Sequence, residues 1–333
     1  MKIGSIDLTD EVCIVAEVGN NHEGDIQHAH ELIAAAAASG VNAVKFQTFQ
    51  TKHYVSAQDA GRFERLSAFE LTPDQFQQLA EYAHSVNLLF ISTPFDLGSV
   101  DVLLPLVDAY KISSGDNNFY PLIERVSRTK KPLMVSTGLA DDVQISKTLA
   151  CIREWRALNQ VALLHCVTAY PVDPANANLA AIATLAINEE ITVGYSDHTL
   201  GCEAAVLSVA AGARIIEKHF TLDKNYSDFH DHHISADAQD MAELVTRVRH
   251  AEQLLGAGTN TVQPVEEKIR ASVRRSIVAG RDLRQGHVLK FSDLTWIRRE
   301  GELVPGQENI VVGKRLKRNI GFGEPLTVRD VGS

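Results

Sequence analysis

The sequence predicts an α/β fold: a TIM (β/α)8 barrel followed by a small β-rich domain. Eight short apolar runs alternate with longer helical patterns, and little sequence lies between them. The runs are apolar throughout, as expected for parallel strands whose two faces are both covered. Several helical segments begin at Asp, Ser or Thr and end at Gly or Asn, the residue types that cap helices.

The predicted strands recur at regular intervals. They begin at Val12, Ala43, Leu88, Ala109, Pro132, Val161, Ile191 and Arg214. A strong amphipathic pattern, DAQDMAELVTRVRHAEQLLG, follows the eighth strand. Eight βα units in about 250 residues match the usual size of this barrel. A doubly wound open sheet is the competing fold, and the lack of a GxGxxG turn after the first strand weakens it.

The pattern changes after Gly256. Residues 258–272 are polar and contain Gly and Pro, which predicts a linker. Residues 273–333 contain short β-like runs separated by turns, which predicts a small β-rich domain. We therefore expect the barrel domain to span residues 1–257.

Composition and charge narrow the class of protein. The chain of 333 residues has a formal net charge of -10, which argues against nucleic acid as a partner because its phosphates would be repelled. No stretch reaches the roughly 20 apolar residues of a membrane span, and the N-terminus lacks the pattern of a secretory signal. The four cysteines show no CxxC spacing, as expected for free thiols in a reducing compartment. We therefore expect a cytoplasmic protein with no membrane partner.

Two lysines occupy positions where predicted strands end, the face at which barrel enzymes carry their chemistry. Lys45 and Gln47 lie two residues apart on the second strand and hence on the same side of it. Lys111 lies similarly on the fourth strand, and Ser114 and Asp116 follow it. A lysine in an apolar strand is unfavourable unless it meets an anion. One such lysine can equally be a salt-bridged structural residue, but two on near-neighbour strands favour an anionic ligand.

Hydroxyl groups at other strand ends add neutral donors of the kind that surround phosphate and carboxylate. They belong to Ser92, Thr93, Ser136, Thr137 and Ser196. Each of them is weak evidence alone, and they gain weight only beside the lysines.

Two histidines end the seventh and eighth predicted strands. Adjacent parallel strands would bring His198 and His219 together, and imidazole suits borderline divalent cations. Core histidines bonded to backbone carbonyls are the alternative. Asp197 and Glu217 could accept hydrogen bonds that fix the imidazole tautomers, so the pattern favours a metal. The His-rich loop at 229–233 is compatible with metal binding, acid–base chemistry or substrate binding.

A set of eight motifs occurs in one order along the chain: EVGNNHEG, VKFQT, FISTPF, YKISSGDNNFYPLI, STG, HCVTAYP, GYSDHT and EKHFTLDKN. Together they resemble the sialic acid (nonulosonic acid) synthase family, and the tail from Arg274 resembles its antifreeze-like (SAF) domain. The resemblance implies a domain-swapped homodimer in which each SAF domain covers the partner's active site. It also implies a metal-dependent condensation of phosphoenolpyruvate with an open-chain acylamino-hexose aldehyde. The products would be a nonulosonic acid and phosphate, released by carbon–oxygen cleavage.

The resemblance also assigns roles to residues. The residues it gives to phosphoenolpyruvate are Lys45, Thr93, Lys111, Ser114, Ser136 and Ser196. The residues it gives to a Mn²⁺ or Mg²⁺ ion are His198 and His219. Positions that help to hold the metal shell or the sugar are Glu17, Gln47, Asp116, Tyr170 and Asp231. Arg299 matches an arginine that reaches the sugar's acyl group from the partner subunit, although Glu300 replaces the proline of that motif.

Three further departures from the family pattern lie on the sugar side. Asp116 stands where sialic acid synthases usually have glutamate, and Thr168 replaces an asparagine that both donates and accepts. The loop NYSDFHDHHIS is one residue longer than usual, so the match of Asp231 depends on where the gap is placed. The acceptor therefore stays open between N-acetylmannosamine and a 2,4-diacetamido-trideoxy hexose. Its phosphorylation is also open, although the sequence shows no extra basic cluster on this side.

The implied mechanism leaves Lys45 and Lys111 to hold phosphoenolpyruvate without forming a Schiff base. The proton of the attacking water could go to a metal-bound group or to a carboxylate such as Glu17. Two other functions fit some of the residues. A Schiff-base pyruvate aldolase also buries a strand lysine, and the tail domain alone would suit a non-catalytic carbohydrate-binding protein.

Overall fold

A computed structural model describes residues 1–189 and 191–332. The chain divides into two compact units, of which the first is Met1–Gly256 and the second begins at Ala257. The first unit thus ends at residue 256 rather than 257. Within the described residues, no helix is long and apolar enough to cross a membrane.

The first unit contains a closed barrel of eight parallel strands, which confirms the predicted fold. The strands of this unit in chain order are β1 (Lys2–Ile3), β2 (Ile6–Asp7), β3 (Cys13–Gly19), β4 (Ala43–Thr48), β5 (Leu89–Pro94), β6 (Ala109–Ile112), β7 (Leu133–Ser136), β8 (Val161–Cys166), β9 (Thr192–Asp197) and β10 (Ile215–His219). Strands β3 to β10 form the barrel, and β1 and β2 precede it. From β3 onward each strand pairs with the next, and β10 closes the barrel on β3. All eight predicted runs form barrel strands, because an apolar segment is stable only where both of its faces are buried.

Helices follow every barrel strand. They are α1 (Ile26–Ala38), α2 (Thr51–Tyr54), α3 (Ala60–Phe69), α4 (Pro73–Ser85), α5 (Leu97–Leu103), α6 (Tyr120–Arg128), α7 (Asp142–Trp155), α8 (Ala180–Glu189), α9 (Glu203–Ala210), α10 (His230–Ile234) and α11 (Ala238–Leu255). The helices α2, α3 and α10 lie in the connections that follow β4 and β10. The segment expected to be a His-rich loop is therefore mostly the helix α10.

Helix α4 shows how local chemistry sets these boundaries. The Thr72 hydroxyl accepts from the N–H of Gln75, and the Gln75 side chain accepts in return from the N–H of Thr72. Pro73 occupies the first helical position, where no N–H is needed. Phe76 and Leu79, three residues apart, are buried on one face of the helix.

The hairpin formed by β1 and β2 is a feature that the sequence pattern did not predict, since two-residue strands are too short to show alternation. Gly4, at its turn, has a φ of 54°, which suits a two-residue hairpin. Ile3, Ile6 and Leu8 are buried against inward-facing barrel residues in a cluster that we call the apolar layer. Its barrel members are Cys13, Val15, Ala43, Ile91, Ala109, Met134, Ala162, Leu164 and Ile215. The hairpin thus closes the end of the barrel opposite the carboxyl ends of the strands.

The second unit is small and rich in β structure, as predicted. Strand β11 (Arg275–Ala279) pairs antiparallel with β12 (Leu294–Arg298), and β13 (Arg315–Leu316) pairs antiparallel with β14 (Val331–Gly332). The unit has its own apolar core, which includes Ile277, Leu283, Leu289, Leu316, Ile320 and Leu326.

The segment 258–272, predicted to be a linker, is not wholly irregular. It contains most of the helix α12 (Pro264–Val273), all of whose residues are exposed. Pro264 lies in the first turn, and the side chains of Gln263 and Glu266 form a capping box. The polar composition of this segment predicts a linker, but the capping interactions at Gln263 and Pro264 start a helix in it.

Candidate active site

A cavity of about 540 Å³ lies at the carboxyl ends of the barrel strands. The site residues expected in the barrel all line it, namely Glu17, Lys45, Gln47, Thr93, Lys111, Ser114, Asp116, Ser136, Thr168, Tyr170, Ser196, His198, His219 and Asp231. All but Asp231, which lies on α10, stand on or just after the barrel strands. Parallel strands bring their carboxyl ends to one face, which is why residues distant in sequence meet here.

Four buried ionisable side chains form the floor of the cavity, and we call Glu17, Lys45, Lys111 and Glu217 the charged layer. Lys45 Nζ lies 2.8 Å from Glu17 Oε2 and 3.7 Å from Glu217 Oε2. Lys111 Nζ donates to both carboxylate oxygens of Glu217 at 2.8 Å. None of the four residues is more than 5% exposed. Each lysine thus keeps a carboxylate partner and still faces the cavity.

Burial acts on all four groups, and the charged neighbours decide the outcome. Burial raises the pKa of Glu17 despite the ammonium group of Lys45 beside it. Burial also disfavours the charged form of Glu217, but Lys111 and Lys45 outweigh it and hold the pKa of Glu217 well below its usual range. Burial lowers the pKa of Lys111, whereas the two carboxylates raise the pKa of Lys45 in spite of burial. An anion entering the cavity would meet two ammonium groups that are poorly hydrated and already oriented.

Pocket hydroxyls complete the hydrogen bonding of the charged layer. Lys45 Nζ donates to Thr93 Oγ1 at 3.2 Å, and Ser196 Oγ donates to Glu217 Oε1 at 2.8 Å. Their neighbours face away from the cavity, because successive strand residues alternate sides. Ser92 donates instead to the carbonyl of Phe46. The strand-end hydroxyls of the sequence therefore divide into pocket and non-pocket groups.

His198 has a defined tautomer. Its Nδ1 lies 2.9 Å from the carbonyl oxygen of Val167, and a carbonyl can only accept, so Nδ1 carries a proton and the lone pair of the neutral ring lies on Nε2. The expectation that Asp197 fixes this ring is wrong. Asp197 accepts instead from Lys218 at 2.7 Å and from Thr199. The reason is alternation along β9, which turns Asp197 away from the pocket side of the strand.

His219 lies beside His198, with ring centroids 5.4 Å apart. Burial lowers the pKa of His219 to about 4, so the ring is neutral near pH 7. Its Nδ1 is buried without a hydrogen-bond partner in the described chain and lies 3.9 Å from Asp231 Oδ2. Glu217, the other expected tautomer acceptor, is occupied by the lysines, so that expectation is also wrong. Among residues 1–189 and 191–332, no three His, Cys, Asp or Glu side chains converge on one point that could hold a metal.

Two acidic residues lie on the side of the cavity that the resemblance assigns to the sugar. Ser113 Oγ donates to Asp116 Oδ2 at 2.6 Å, and burial raises the pKa of Asp116. His230 Nε2 lies 2.9 Å from Asp231 Oδ1. Burial opposes the charge of Asp231, but the bond with His230 holds its pKa below the usual value. The two carboxyl groups thus have opposite pKa shifts within one pocket.

Gly138, in the STG motif, allows two pocket hydroxyls to approach closely. A Cβ placed on it would lie 2.4 Å from Thr168 Oγ1 and 2.5 Å from Ser114 Oγ. Any other residue would displace one of these side chains. The glycine therefore helps to set the spacing between Ser114, expected at phosphoenolpyruvate, and Thr168, expected at the sugar.

Two arginines that the sequence reasoning did not select also line the cavity. Arg62 and Arg65 come from α3, and the guanidinium of Arg62 lies 5.8 Å from the ring centre of Tyr54. The sequence shows no extra basic cluster on the sugar side, whereas the structure brings two arginines to the pocket. They lie three residues apart on an exposed helix, a spacing that is common on ordinary solvent-facing helix surfaces. Their position at the pocket therefore follows only from the path of the connection between β4 and α4.

Arg299 belongs to the second unit and directly follows β12. Its Nη1 donates to the carbonyl oxygen of Gly323 at 2.9 Å. The residue is exposed within the described chain.

The fold and the cavity define a barrel enzyme built around an anionic substrate. The model of the NeuB family matches residues 32–260, and that of the SAF domain matches residues 274–331. The chain belongs to the NeuB family. It is a transferase similar to N-acetylneuraminate synthase that forms a carbon–carbon bond with phosphoenolpyruvate. A non-catalytic carbohydrate-binding protein is therefore excluded.

Relatives with named activities cover nearly the whole chain. The N,N'-diacetyllegionaminic acid synthase of Legionella pneumophila is 38% identical over 94% of this chain and 92% of its own length. The N-acetylneuraminate-9-phosphate synthase of Drosophila melanogaster is 31% identical over 96% of this chain and 95% of its own. The crystal structure of the N-acetylneuraminic acid synthetase from Leptospira borgpetersenii, in complex with citrate, has a TM-score of 0.77 and 33% identity, over 80% of this chain and 94% of that one.

Proposed function

We propose that the enzyme condenses phosphoenolpyruvate with the open-chain aldehyde of a 2,4-diacetamido-trideoxy hexose. The products are a nonulosonic acid of the legionaminic type and inorganic phosphate. The observation that carries the reaction is the charged layer, in which two buried lysines face one cavity. The acceptor rests on the higher identity to the legionaminic relative, 38% against 31% for the neuraminate-9-phosphate relative. The altered residues Asp116 and Thr168 support it, since both line the cavity.

The proposed phosphoenolpyruvate site comprises six residues that line the cavity: Lys45, Thr93, Lys111, Ser114, Ser136 and Ser196. The two lysines hold the phosphate and carboxylate groups, and the hydroxyls donate to the remaining oxygens. Binding fixes the enol carbon next to the aldehyde, which removes translational entropy from the barrier. Neither lysine forms a covalent bond to substrate.

His198 and His219 would hold a Mn²⁺ or Mg²⁺ ion. The lone pair at His198 Nε2 is free, and His219 is neutral and has an orphaned nitrogen. These two side chains supply two imidazoles, so the other ligand positions would be left to water or substrate oxygens, as in catalytic sites that keep open positions. When bound, the ion would supply Lewis-acid polarisation of the aldehyde oxygen. Glu17, Gln47, Tyr170 and Asp231 line the same cavity.

The reaction balances as phosphoenolpyruvate plus aldehyde plus water giving the keto acid plus phosphate. Carbon 3 of the enol attacks the aldehyde carbon, and the cationic centre at carbon 2 takes up water. The resulting tetrahedral intermediate loses phosphate by cleavage of the bond between carbon 2 and the bridging oxygen. Glu17, whose pKa is raised by burial, is suited to accept the proton of the attacking water.

The sugar lies among Asp116, Thr168, Tyr170 and Asp231, with Arg62 and Arg65 beside them. We propose a domain-swapped homodimer in the cytoplasm, in which Arg299 of each SAF domain reaches the acyl group of the sugar in the other subunit. The partner assignment rests on the family resemblance of the tail and on the exposure of Arg299.

The test is phosphate release from phosphoenolpyruvate with a panel of sugars, comparing N-acetylmannosamine, its 6-phosphate and 2,4-diacetamido-trideoxy hexoses. We expect the highest kcat/KM with a diacetamido sugar, loss of turnover after EDTA, and recovery with Mn²⁺ or Mg²⁺. Turnover that survives chelation would contradict the metal site, and preference for N-acetylmannosamine would contradict the acceptor.

A Schiff-base step of the kind aldolases use is the alternative chemistry for this family, and one observation favours it: the lowered pKa of Lys111 increases the fraction of its amine that is unprotonated and able to attack a carbonyl. The bidentate contact with Glu217 opposes this, because it engages the amine. Treatment with borohydride and pyruvate separates the two mechanisms. A reduced adduct on either buried lysine would overturn the condensation mechanism.

A further inference from the structure

The connection between β10 and α11, residues 220–237, carries Asp231 into the pocket. Its helix α10 has only five residues, too few to be stable by itself. It is preceded by Phe229, whose ring cannot accept the hydrogen bond that caps a helix. Contacts from elsewhere in the barrel must therefore hold Asp231 in place.

One such contact joins α10 to the loop after β3. His232 is completely buried. Its Nδ1 lies 2.7 Å from Thr221 Oγ1, and its Nε2 lies 3.1 Å from Glu23 Oε1. The same Glu23 oxygen accepts a hydrogen bond from Ser227. A single carboxylate therefore ties two points of the connection that carries Asp231.

A second contact comes from the same loop. Asn21, also completely buried, donates from Nδ2 to the carbonyl of Phe220 at 2.8 Å and to Ser235 Oγ at 3.0 Å. Ser235 Oγ donates in turn to the carbonyl of Asp231 at 2.6 Å. This chain of bonds ends on the backbone of the residue whose carboxylate faces the pocket.

The loop after β3 is itself held in one conformation. Glu23 has a φ of 48° and Gly24 a φ of 83°, both in the left-handed region. A Cβ on Gly24 would lie 2.1 Å from the carbonyl oxygen of Ala68, so only glycine fits against α3. The Nδ1 of His22 accepts from the N–H of Gly24 at 3.0 Å. A loop restricted in this way can hold the connection that it contacts in one position.

We propose that Asn21, Glu23 and His232 are positioning residues for the condensation, which fix the Asp231 carboxylate at the sugar side of the pocket. None of the three is among the residues that line the cavity. The motif EVGNNHEG, which supplies Glu17 to the pocket, thus also supplies the positioning residues Asn21 and Glu23. The inference rests on the proposed role of Asp231 at the acceptor.

The test compares Glu23→Ala with Glu23→Gln, whose amide oxygen can still accept from His232 and Ser227. We expect Glu23→Ala to raise the KM for the acceptor about tenfold, because the connection loses its hydrogen bonds from His232 and Ser227 to the Glu23 carboxylate. The KM for phosphoenolpyruvate should change less than about twofold. Glu23→Gln should recover most of the loss, and Glu81→Ala, at an exposed position of α4, should change neither constant. Equal shifts in both KM values would overturn the proposal, because they would indicate a general loss of structure.

A double-mutant cycle with Asp231→Asn tests whether Glu23 acts through Asp231. Glu23→Ala should lose its effect in the Asp231→Asn background. An effect that persists there undiminished, or an Asp231→Asn enzyme as active as the unchanged protein, would overturn the proposal. If Asp231→Asn is too slow to measure, the split between the two KM values decides.

Hydrogen–deuterium exchange supplies a readout that does not depend on the sugar. Glu23→Ala should accelerate exchange within residues 229–236 and leave the barrel strands unchanged. Unchanged exchange in that segment would overturn the anchoring. Absence of phosphate release by the unchanged protein with every sugar would sink the proposed function instead, and exchange would still decide whether the loop holds Asp231.

Discussion

The interior of the barrel contains two buried layers of opposite chemistry. The apolar layer lies at the hairpin end, and the charged layer forms the floor of the pocket. The boundary passes between Lys111 and Met134, which are direct neighbours in the register of β6 and β7. Both residues are almost fully buried, at 2% and 0% exposure.

Apolar and charged side chains that are buried to the same extent contribute differently to the protein. Burying an aliphatic side chain stabilises the fold by about 1.5–3 kcal/mol. A buried ion pair is often no better than a well-packed apolar pair, because both ions lose their hydration. The charged layer is therefore explained by chemistry rather than by stability.

The largest effect is expected from breaking the charged layer. Lys111→Met should reduce kcat/KM about 10³-fold, because it removes a cation that we propose holds phosphoenolpyruvate. It should also destabilise the fold by about 3 kcal/mol, since Glu217 loses its main partner. Adding Glu217→Gln should recover the stability but not the activity. Phosphate release and urea unfolding measure the two quantities, with Met134→Leu as the control in the adjacent strand. More than a tenth of normal activity in Lys111→Met would contradict this account.

The apolar layer should respond in the opposite way. Ile3→Ala in the hairpin should lower the free energy of unfolding by about 2–4 kcal/mol, because it opens a cavity at the closed end of the barrel. Ile3→Val should lower it by only about 1 kcal/mol. At 25 °C, where the variants stay folded, kcat should change less than about twofold. A loss of activity comparable with that of Lys111→Met would mean that the two layers are not independent.

The smallest expected effect is a difference in pH dependence. The pKa of Glu217 is depressed in the folded state, so its stabilisation is present above the unfolded pKa of about 4.3 and declines as the pH falls below it. The destabilisation caused by Glu217→Gln should therefore shrink on acidification, by at most about 1.4 kcal/mol per pH unit. The destabilisation caused by Ile3→Ala should not change with pH. Urea unfolding between pH 3 and 7 checks this, and parallel curves for the two variants would refute it.

Most of the fold follows from sequence pattern, because the barrel repeats one local unit. The apolar run and the capped helix are visible in each βα segment, and eight repeats leave little choice of topology. The elements that pattern reasoning missed are β1, β2, α3 and α10, which are either very short or lie within a long connection. Their stability comes from contacts with distant segments, such as the hairpin against barrel residues, and these contacts leave no periodic signal.

The site shows the same division. Residue type at strand ends made Lys45, Lys111, His198 and His219 candidates, although a salt-bridged lysine and a core histidine were the alternatives, and it was their combination that favoured a site. The hydrogen-bond and ion-pair partners of these residues were not predicted correctly. Glu217 was expected at the histidines and instead binds both lysines.

The sequence by itself determined the barrel, the second domain, the enzyme family and many of the polar residues that line the pocket. Those inferences depend on local spacing and on motif order, which the chain displays directly. Only the tertiary structure decided that Glu217 pairs with the lysines, that Val167 fixes the tautomer of His198, and that α3 brings two arginines to the pocket. Hydrogen-bond partners depend on side-chain direction and on distances across strands far apart in the chain, and one-dimensional order does not contain either.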